Sequence, residues 1–183
     1  MKKLVLVAVL LFGFSVLAVA QDVPVAEVFG GYSYVRVNPT AQQSSDSVNL
    51  NGFSTSIALN ANKIAGVVVD FGGYYGTVPN ESNVNLHIYS LMFGPRINIR
   101  KGKVTPFVQA LFGYAHAAVV SNDTTYSKEN DFAMAYGGGV DINVNKHISI
   151  RPAQVEYVGI KSGQDLLNNF RYSAGIIFKI GKR

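Results

Sequence analysis

The stretch Phe132 to Val144, FAMAYGGGVDINV, places three consecutive glycines between an apolar run and a lone acid. Every second residue belongs to a set that is mostly bulky and apolar: Phe132, Met134, Tyr136, Gly138, Val140 and Ile142. The intervening set is small and then polar: Ala133, Ala135, Gly137, Gly139, Asp141 and Asn143. A period of two is typical of a β-strand whose two faces meet different surroundings. A phosphate-binding glycine loop would instead lead into a helix. The stretch therefore predicts a two-faced strand.

The N-terminal segment has the pattern of a secretory signal. Lys2 and Lys3 precede an apolar run, and Ala18-Val19-Ala20 stands directly before Gln21. A basic start, an apolar centre and an A-x-A site predict a signal peptide over residues 1–20, cleaved after Ala20. The apolar run is shorter than the roughly 20 residues that span a bilayer. We therefore expect residues 21–183 to form one exported domain.

The composition of this domain suggests a membrane protein that crosses without helices. The chain has 10 Tyr, 11 Phe and 18 Gly, only 15% charged residues and no cysteine. An exported chain without a long apolar helix can enter a membrane as a closed β-barrel. Its positive charge is dispersed, so we expect no nucleic-acid partner. The three histidines fall on separate segments without clustered acids, so we expect neither a metal nor another cofactor.

Strand-like segments recur along the whole domain and predict an all-β fold. They are joined alternately by long polar connections, such as NPTAQQSSDSVN, SNDTTYSKEN and KSGQDLLNN, and by short ones, such as NANK and RKGK. Loops at one end and tight turns at the other are typical of outer-membrane barrels with an even number of strands. We therefore predict an eight-stranded antiparallel up-and-down transmembrane β-barrel. Its strands are expected at Ala26–Val37, Leu50–Leu59, Ile64–Tyr75, Val84–Ile99, Val104–Val119, Phe132–Val144, Ile148–Ile160 and Phe170–Ile180.

The two faces of each strand predict what lines the barrel. A narrow membrane barrel turns its bulky apolar face to lipid, and its lumen has room mainly for small side chains and paired charges. A bulge at Pro152 would bring two charges of opposite parity, Arg151 and Glu156, to the same face. We predict a direct or water-bridged ion pair between Glu27 and Lys179, extended by further lumen charges. The complete predicted network is Glu27, Asp70, Arg96, Asp141, Arg151, Glu156, Arg171 and Lys179.

Several segments resemble the OmpA-like outer-membrane β-barrel domain family: VFGGYSYVR, FGPRINIR, TPFVQALFGYAHA and FAMAYGGGVDINV. The resemblance implies a small eight-stranded barrel surrounded by outer-membrane lipid in a bacterial envelope. The last strand, with Ser173, Gly175, Phe178 and Ile180, is similar to the signal that the barrel-assembly machinery reads. It departs from that pattern in ending on Gly181-Lys182-Arg183. The chain has no Trp, so Tyr must supply the interfacial aromatic girdle.

Three functional hypotheses follow from this reading. We expect a monomeric, non-catalytic structural or interaction component of the envelope, whose lumen is filled by salt bridges. A narrow pore for ions or small solutes is the alternative. A lipid A-modifying enzyme is the third hypothesis, and it would require Ser, His and an acid on the lipid face. The candidates for it fit poorly, because His147-x-Ser149 lies at the short-turn end and His87 and Ser90 differ in parity.

Overall fold

The computed structural model describes residues 23–37, 47–77, 84–121, 124–162 and 165–182. Within these ranges, eight antiparallel strands close into a barrel because the first strand pairs with both the second and the last. The predicted fold class is confirmed. In the same ranges, no helix is long and apolar enough to cross a membrane. The strands are β1 (Ala26–Val37), β2 (Val48–Asn60), β3 (Ala65–Thr77), β4 (Val84–Asn98), β5 (Val104–Ser121), β6 (Thr124–Asn143), β7 (Ile148–Ser162) and β8 (Asp165–Ile180).

Two strands are much longer than the sequence predicted. β6 begins at Thr124 rather than Phe132, and β8 begins at Asp165 rather than Phe170. The expected long loops SNDTTYSKEN and KSGQDLLNN are therefore mostly strand, and that prediction was wrong. A hairpin keeps its backbone hydrogen bonds whatever the polarity of its sequence. A polar composition there does not distinguish a loop from a projecting strand.

The outer surface of the barrel is apolar, as predicted. Large hydrophobic side chains alternate along each strand with buried ones, and outward residues such as Phe93 are up to about two-thirds exposed. Several exposed tyrosines lie in the loop-end halves of their strands, whereas the exposed side chains at the turn end include Ile64, Ile97, Val144 and Phe178. In the described ranges these tyrosines are the candidates for the predicted interfacial girdle. They include Tyr32, Tyr75, Tyr89, Tyr114 and Tyr172.

The lumen holds more large apolar side chains than expected. The expectation of mainly small residues and paired charges is wrong for its loop-end half, where Leu50, Met92 and Leu111 belong to a buried apolar cluster. Inward positions are shielded from water by the barrel wall, so apolar side chains there are buried without needing hydrogen-bond partners. The charged residues occupy the middle of the lumen and its turn-end mouth.

Candidate functional site

The structure brings the predicted charges together on the inner face of the barrel. Seven of the eight side chains belong to buried residues, and Lys179 at the turn-end mouth is half-buried. They come from strands on all sides of the lumen, so that side chains far apart in sequence converge. The seven buried residues are Glu27, Asp70, Arg96, Asp141, Arg151, Glu156 and Arg171.

Arg171 on β8 is the centre of the first cluster. Its Nη1 lies 2.7 Å from Asp70 Oδ1 on β3, and its Nη2 lies 2.6 Å from Glu156 Oε2 on β7. Nη1 also donates a hydrogen bond to Tyr74 Oη at 2.8 Å. Since β3 and β8 are not neighbours in the barrel, the Arg171–Asp70 pair spans the lumen. One arginine therefore neutralises two buried carboxylates.

Two glutamines complete the hydrogen bonds of Glu156. Gln109 Nε2 donates to Glu156 Oε1 at 2.8 Å, and Gln154 Nε2 donates to Oε2 at 2.7 Å. Both glutamines are buried, and neither was named as part of the network from the sequence. Their inward parity was the available signal. A buried carboxylate with several donors is stabilised in its charged form, so these amides belong to the site.

Arg151 forms the second cluster with Asp141. The pair is bidentate, with Arg151 Nε 2.7 Å from Asp141 Oδ1 and Nη2 2.9 Å from Oδ2. Arg151 Nη1 also donates to Gln154 Oε1 at 2.6 Å, which links the two clusters. The pairing register shifts between Arg151 and Gln154, around Pro152. Because of this irregularity, Arg151 and Glu156 both face the lumen although their positions along the strand differ in parity.

The Phe107 ring contacts both arginines of the middle lumen. Arg96 Cζ is 4.2 Å and Arg151 Cζ 4.3 Å from the centroid of the Phe107 ring, in cation–π geometry. Arg96 Nε donates to Gln109 Oε1 at 2.9 Å. Among the described residues, Arg96 has no carboxylate within 4 Å, unlike Arg151 and Arg171. Arg96 was expected to extend the network beside Asp141, and its contacts in the structure are with Gln109 and Phe107.

The glycine triplet makes room for this arrangement. A Cβ atom on Gly139 would lie 2.5 Å from Ala153 O and 2.9 Å from Phe107 Cζ. One on Gly137 would lie closer still to Val155 O, and 2.9 Å from Glu156 Cγ. The inward glycines of FAMAYGGGVDINV are therefore required by the close approach of the β7 backbone and by two side chains of the lumen network.

The direct Glu27–Lys179 ion pair does not form, although the two residues face each other in the β1–β8 register. Glu27 Oε1 instead lies 3.0 Å from Arg100 Nη2, and Lys179 Nζ donates to Asn143 Oδ1 at 3.0 Å and to Asn145 O at 2.7 Å. Arg100 follows the end of β4 with the inward parity of Arg96. Its guanidinium group therefore reaches back into the mouth and takes the carboxylate that the sequence had assigned to Lys179.

The candidate catalytic residues do not assemble. Ser149 is buried in the lumen and donates to Asn143 Oδ1 at 2.8 Å, whereas His147 is exposed in the adjoining turn. His116 Nδ1 lies 2.8 Å from Asn130 Oδ1. Across the described part of the chain, no group of three or more His, Cys, Asp or Glu side chains could hold a metal ion. The geometry offers no Ser–His–acid arrangement at these positions.

The residues of the predicted assembly signal lie on both faces of β8, which pairs with β1 where the barrel closes. Ser173 and Gly175 face inward, and Ser173 Oγ lies 2.5 Å from Ser33 Oγ on β1. Phe178 and Ile180 face outward and are exposed. The predicted cleavage residues Ala18, Ala20 and Gln21 lie outside the described residues.

Comparisons with known proteins agree with this architecture. Among solved structures, the chain is similar to Neisserial surface protein A, with a TM-score of 0.71 and 16% identity over 85% of this chain and 97% of that one. It is also similar to OprG from Pseudomonas aeruginosa (TM-score 0.62, 12% identity, 88% and 98% covered). A third match is Ail from Yersinia pestis in complex with the heparin analogue sucrose octasulfate (0.60, 19%, 85% and 97%). At these identities the likeness concerns the fold.

The family assignment rests on a separate comparison. No curated protein matches the chain. A family model described as outer membrane protein beta-barrel domain matches residues 4–178, which is nearly the whole chain. Together with the closed eight-stranded barrel, its apolar outer face and its charged lumen, this match shows that the chain belongs to the outer membrane protein beta-barrel domain family.

Proposed function

We propose that this outer-membrane barrel is a non-conducting structural or interaction component of the envelope, with a lumen closed by its own side chains. The observation that carries the proposal is the Arg171–Asp70 bridge, which crosses the lumen at 2.7 Å. The outer-membrane location follows from the family, and the exposed apolar surface is the part in contact with outer-membrane lipid. We further propose that export uses the N-terminal signal and that insertion uses the barrel-assembly machinery.

The stacking of the lumen side chains supports closure. The Arg171 cluster lies on the loop side of the layer formed by Arg96, Phe107 and Arg151. The side chains of Gln109 and Gln154 connect the two layers by hydrogen bonds. A cavity beside Arg171 on the loop side has a volume of about 20 Å³, room for about one water molecule. An ion would have to displace several buried, charge-assisted hydrogen bonds to pass. Each of these is worth more than a neutral hydrogen bond.

The projecting hairpin supports the interaction part of the proposal. β5 and β6 remain paired as far as Ser121 and Thr124, beyond the loop-end limits of β1 and β2. A paired hairpin holds its backbone in a regular hydrogen-bonded ladder at the loop end of the barrel. Rigid strands hold contact residues more accurately than flexible loops do. This end is therefore suited to contact another envelope or extracellular component.

Single-channel recording tests the closed lumen. The purified protein, reconstituted in a planar lipid bilayer, should give no steady current. Phe107→Ala removes the ring that contacts Arg96 and Arg151 and should open a measurable leak, whereas Phe112→Ala, on the lipid face of the same strand, should not. A steady ion-selective current from the wild type would reject the closed lumen and favour the narrow pore. Lipid A turnover by the purified protein would favour the enzyme.

A further inference from the structure

A cavity of about 380 Å³ opens at the turn end of the barrel, and we name it the turn-end vestibule. It is lined by charged and polar groups from several strands and turns, including Glu27, Arg100, Asp141, Lys146, Lys179 and Lys182. Its volume lies near the lower end of the range for small-molecule sites, roughly 300–1,000 Å³. At its inner end, Asp141 is held by Arg151. The vestibule is therefore a closed-ended pocket.

The charges of the vestibule are unbalanced. Each of its two carboxylates already has an arginine: Glu27 is paired with Arg100 and Asp141 with Arg151. The three lysines that line the cavity have no such partner, because no carboxylate among the described residues lies within 4 Å of their ammonium groups. Like charges that converge on one concave surface repel each other and raise the local concentration of anions.

The ammonium group of Lys179 is held in place by hydrogen bonds that leave one of its donors for a ligand. Its Nζ donates to two neutral acceptors, Asn143 Oδ1 and Asn145 O. An ammonium group has three N–H donors, so one is left for a ligand. Asn143 is itself fixed, since its Oδ1 also accepts a hydrogen bond from Ser149 Oγ. The amine is therefore preorganised at the wall of the vestibule, where ordering it costs little on binding.

We propose that the turn-end vestibule binds a small oxyanion, a carboxylate- or phosphate-bearing group that enters from the periplasmic side. Lys179 provides the fixed charged donor, and Lys146 and Lys182 close over the ligand from the rim. A multivalent anion matches both the three unpaired cations and the size of the pocket. Because the pocket ends at Asp141 and Arg151, the ligand is held there and does not pass through. A soluble anion and the headgroup of an anionic phospholipid share this chemistry.

Calorimetric titration of the protein in phosphatidylcholine nanodiscs tests the site, with inorganic pyrophosphate and citrate as probes at about 0.15 M salt. At least one probe should bind at a single site. Lys179→Gln should weaken its binding about tenfold, the effect expected for a charge-assisted contact. Lys103→Gln is the matched control: it removes the same charge at the same end of the barrel but outside the vestibule. It should change binding less than about twofold, as for a distant screened charge.

Failure of both probes to bind the wild type, or equal weakening by Lys179→Gln and Lys103→Gln, would overturn the proposal. If Lys179→Gln does not fold, Lys182→Gln takes its place, since that exposed side chain has no role in the barrel wall. A second titration in phosphatidylglycerol nanodiscs separates the sources. Because the negative surface of phosphatidylglycerol also repels the anionic probes, both titrations are compared at a salt concentration that screens this surface. Weaker probe binding in phosphatidylglycerol under that condition would assign the site to the lipid headgroup, and unchanged binding would assign it to a soluble anion.

Discussion

Arg171 and Asp70 are joined across the barrel lumen, with Arg171 Nη1 2.7 Å from Asp70 Oδ1, although 101 residues separate them in the sequence. Their strands, β8 and β3, share no backbone hydrogen bonds. The ion pair therefore joins two strands that are not neighbours in the closed sheet. A second carboxylate, Glu156, shares the same guanidinium group. The stability of the closed lumen should depend strongly on this one side chain.

The first prediction concerns the loss of that arginine. Arg171→Ala leaves Asp70 and Glu156 buried without their cation and should lower the free energy of unfolding by about 3–5 kcal/mol, the usual cost of breaking a buried pair. Urea unfolding in lipid vesicles measures the change. Lys101→Ala, which removes an exposed positive charge from a turn, should have little effect. A loss below about 1 kcal/mol for Arg171→Ala, as for a surface ion pair, would show that the lumen is well hydrated.

The second prediction concerns the glycine triplet. A methyl group at Gly139 would lie 2.5 Å from Ala153 O and 2.9 Å from Phe107 Cζ. Gly139→Ala should therefore destabilise the barrel by about 1–3 kcal/mol through overpacking. Gly30→Ala is the matched control, because nothing lies within 4 Å of a Cβ atom there. Equal unfolding midpoints for the two variants would contradict the close packing of Phe107 against β6.

The third prediction compares two depths on the lipid face of β5. Val108 is 58% exposed and lies between the turn-end Val104 and Tyr114 of the tyrosine girdle, which is 69% exposed. Val108→Arg should cost about 2–4 kcal/mol, because it places a charge deep in the hydrocarbon region, whereas Tyr114→Arg near the interface should cost about 0–1 kcal/mol. The same vesicle unfolding assay distinguishes them. A larger cost at Tyr114 would place the membrane band nearer to the loops.

The periodicity of the sequence was sufficient to predict the barrel and the inward face of each strand. Two-residue alternation is set by backbone geometry, so it holds wherever one face meets lipid. It also located the irregularity at Pro152, since proline cannot donate to a regular ladder. The first residues of β6 and β8 were not predictable in this way. A polar sequence at the loop end of the barrel is compatible with a strand as well as with a loop.

The partners of the lumen charges were harder to predict than their orientation. The alternation of residues along a strand predicts which Cα positions face the lumen and how far along the barrel axis they lie. It does not predict the partner, because a long arginine side chain can reach several neighbouring positions. Arg100 therefore took the carboxylate expected to pair with Lys179. Phe107 was missed because an aromatic ring in a charged lumen contradicts simple binary patterning, although it packs well against two guanidinium groups.

The last prediction concerns recognition of β8 during assembly. Phe178 and Ile176 are both on the lipid face of this strand and are 55% and 47% exposed, but only Phe178 belongs to the predicted assembly signal. Each substitution by alanine removes apolar surface of comparable kind, so their effects on spontaneous refolding into lipid vesicles should be similar. In cells, Phe178→Ala should lower the amount of folded protein in the outer membrane several-fold, and Ile176→Ala should not. The amount of folded protein is measured in outer-membrane fractions by gel electrophoresis, as the share of the protein whose mobility changes when the sample is heated. Equal losses for both variants in cells would mean that β8 acts through its burial in lipid and that Phe178 is not specifically recognised.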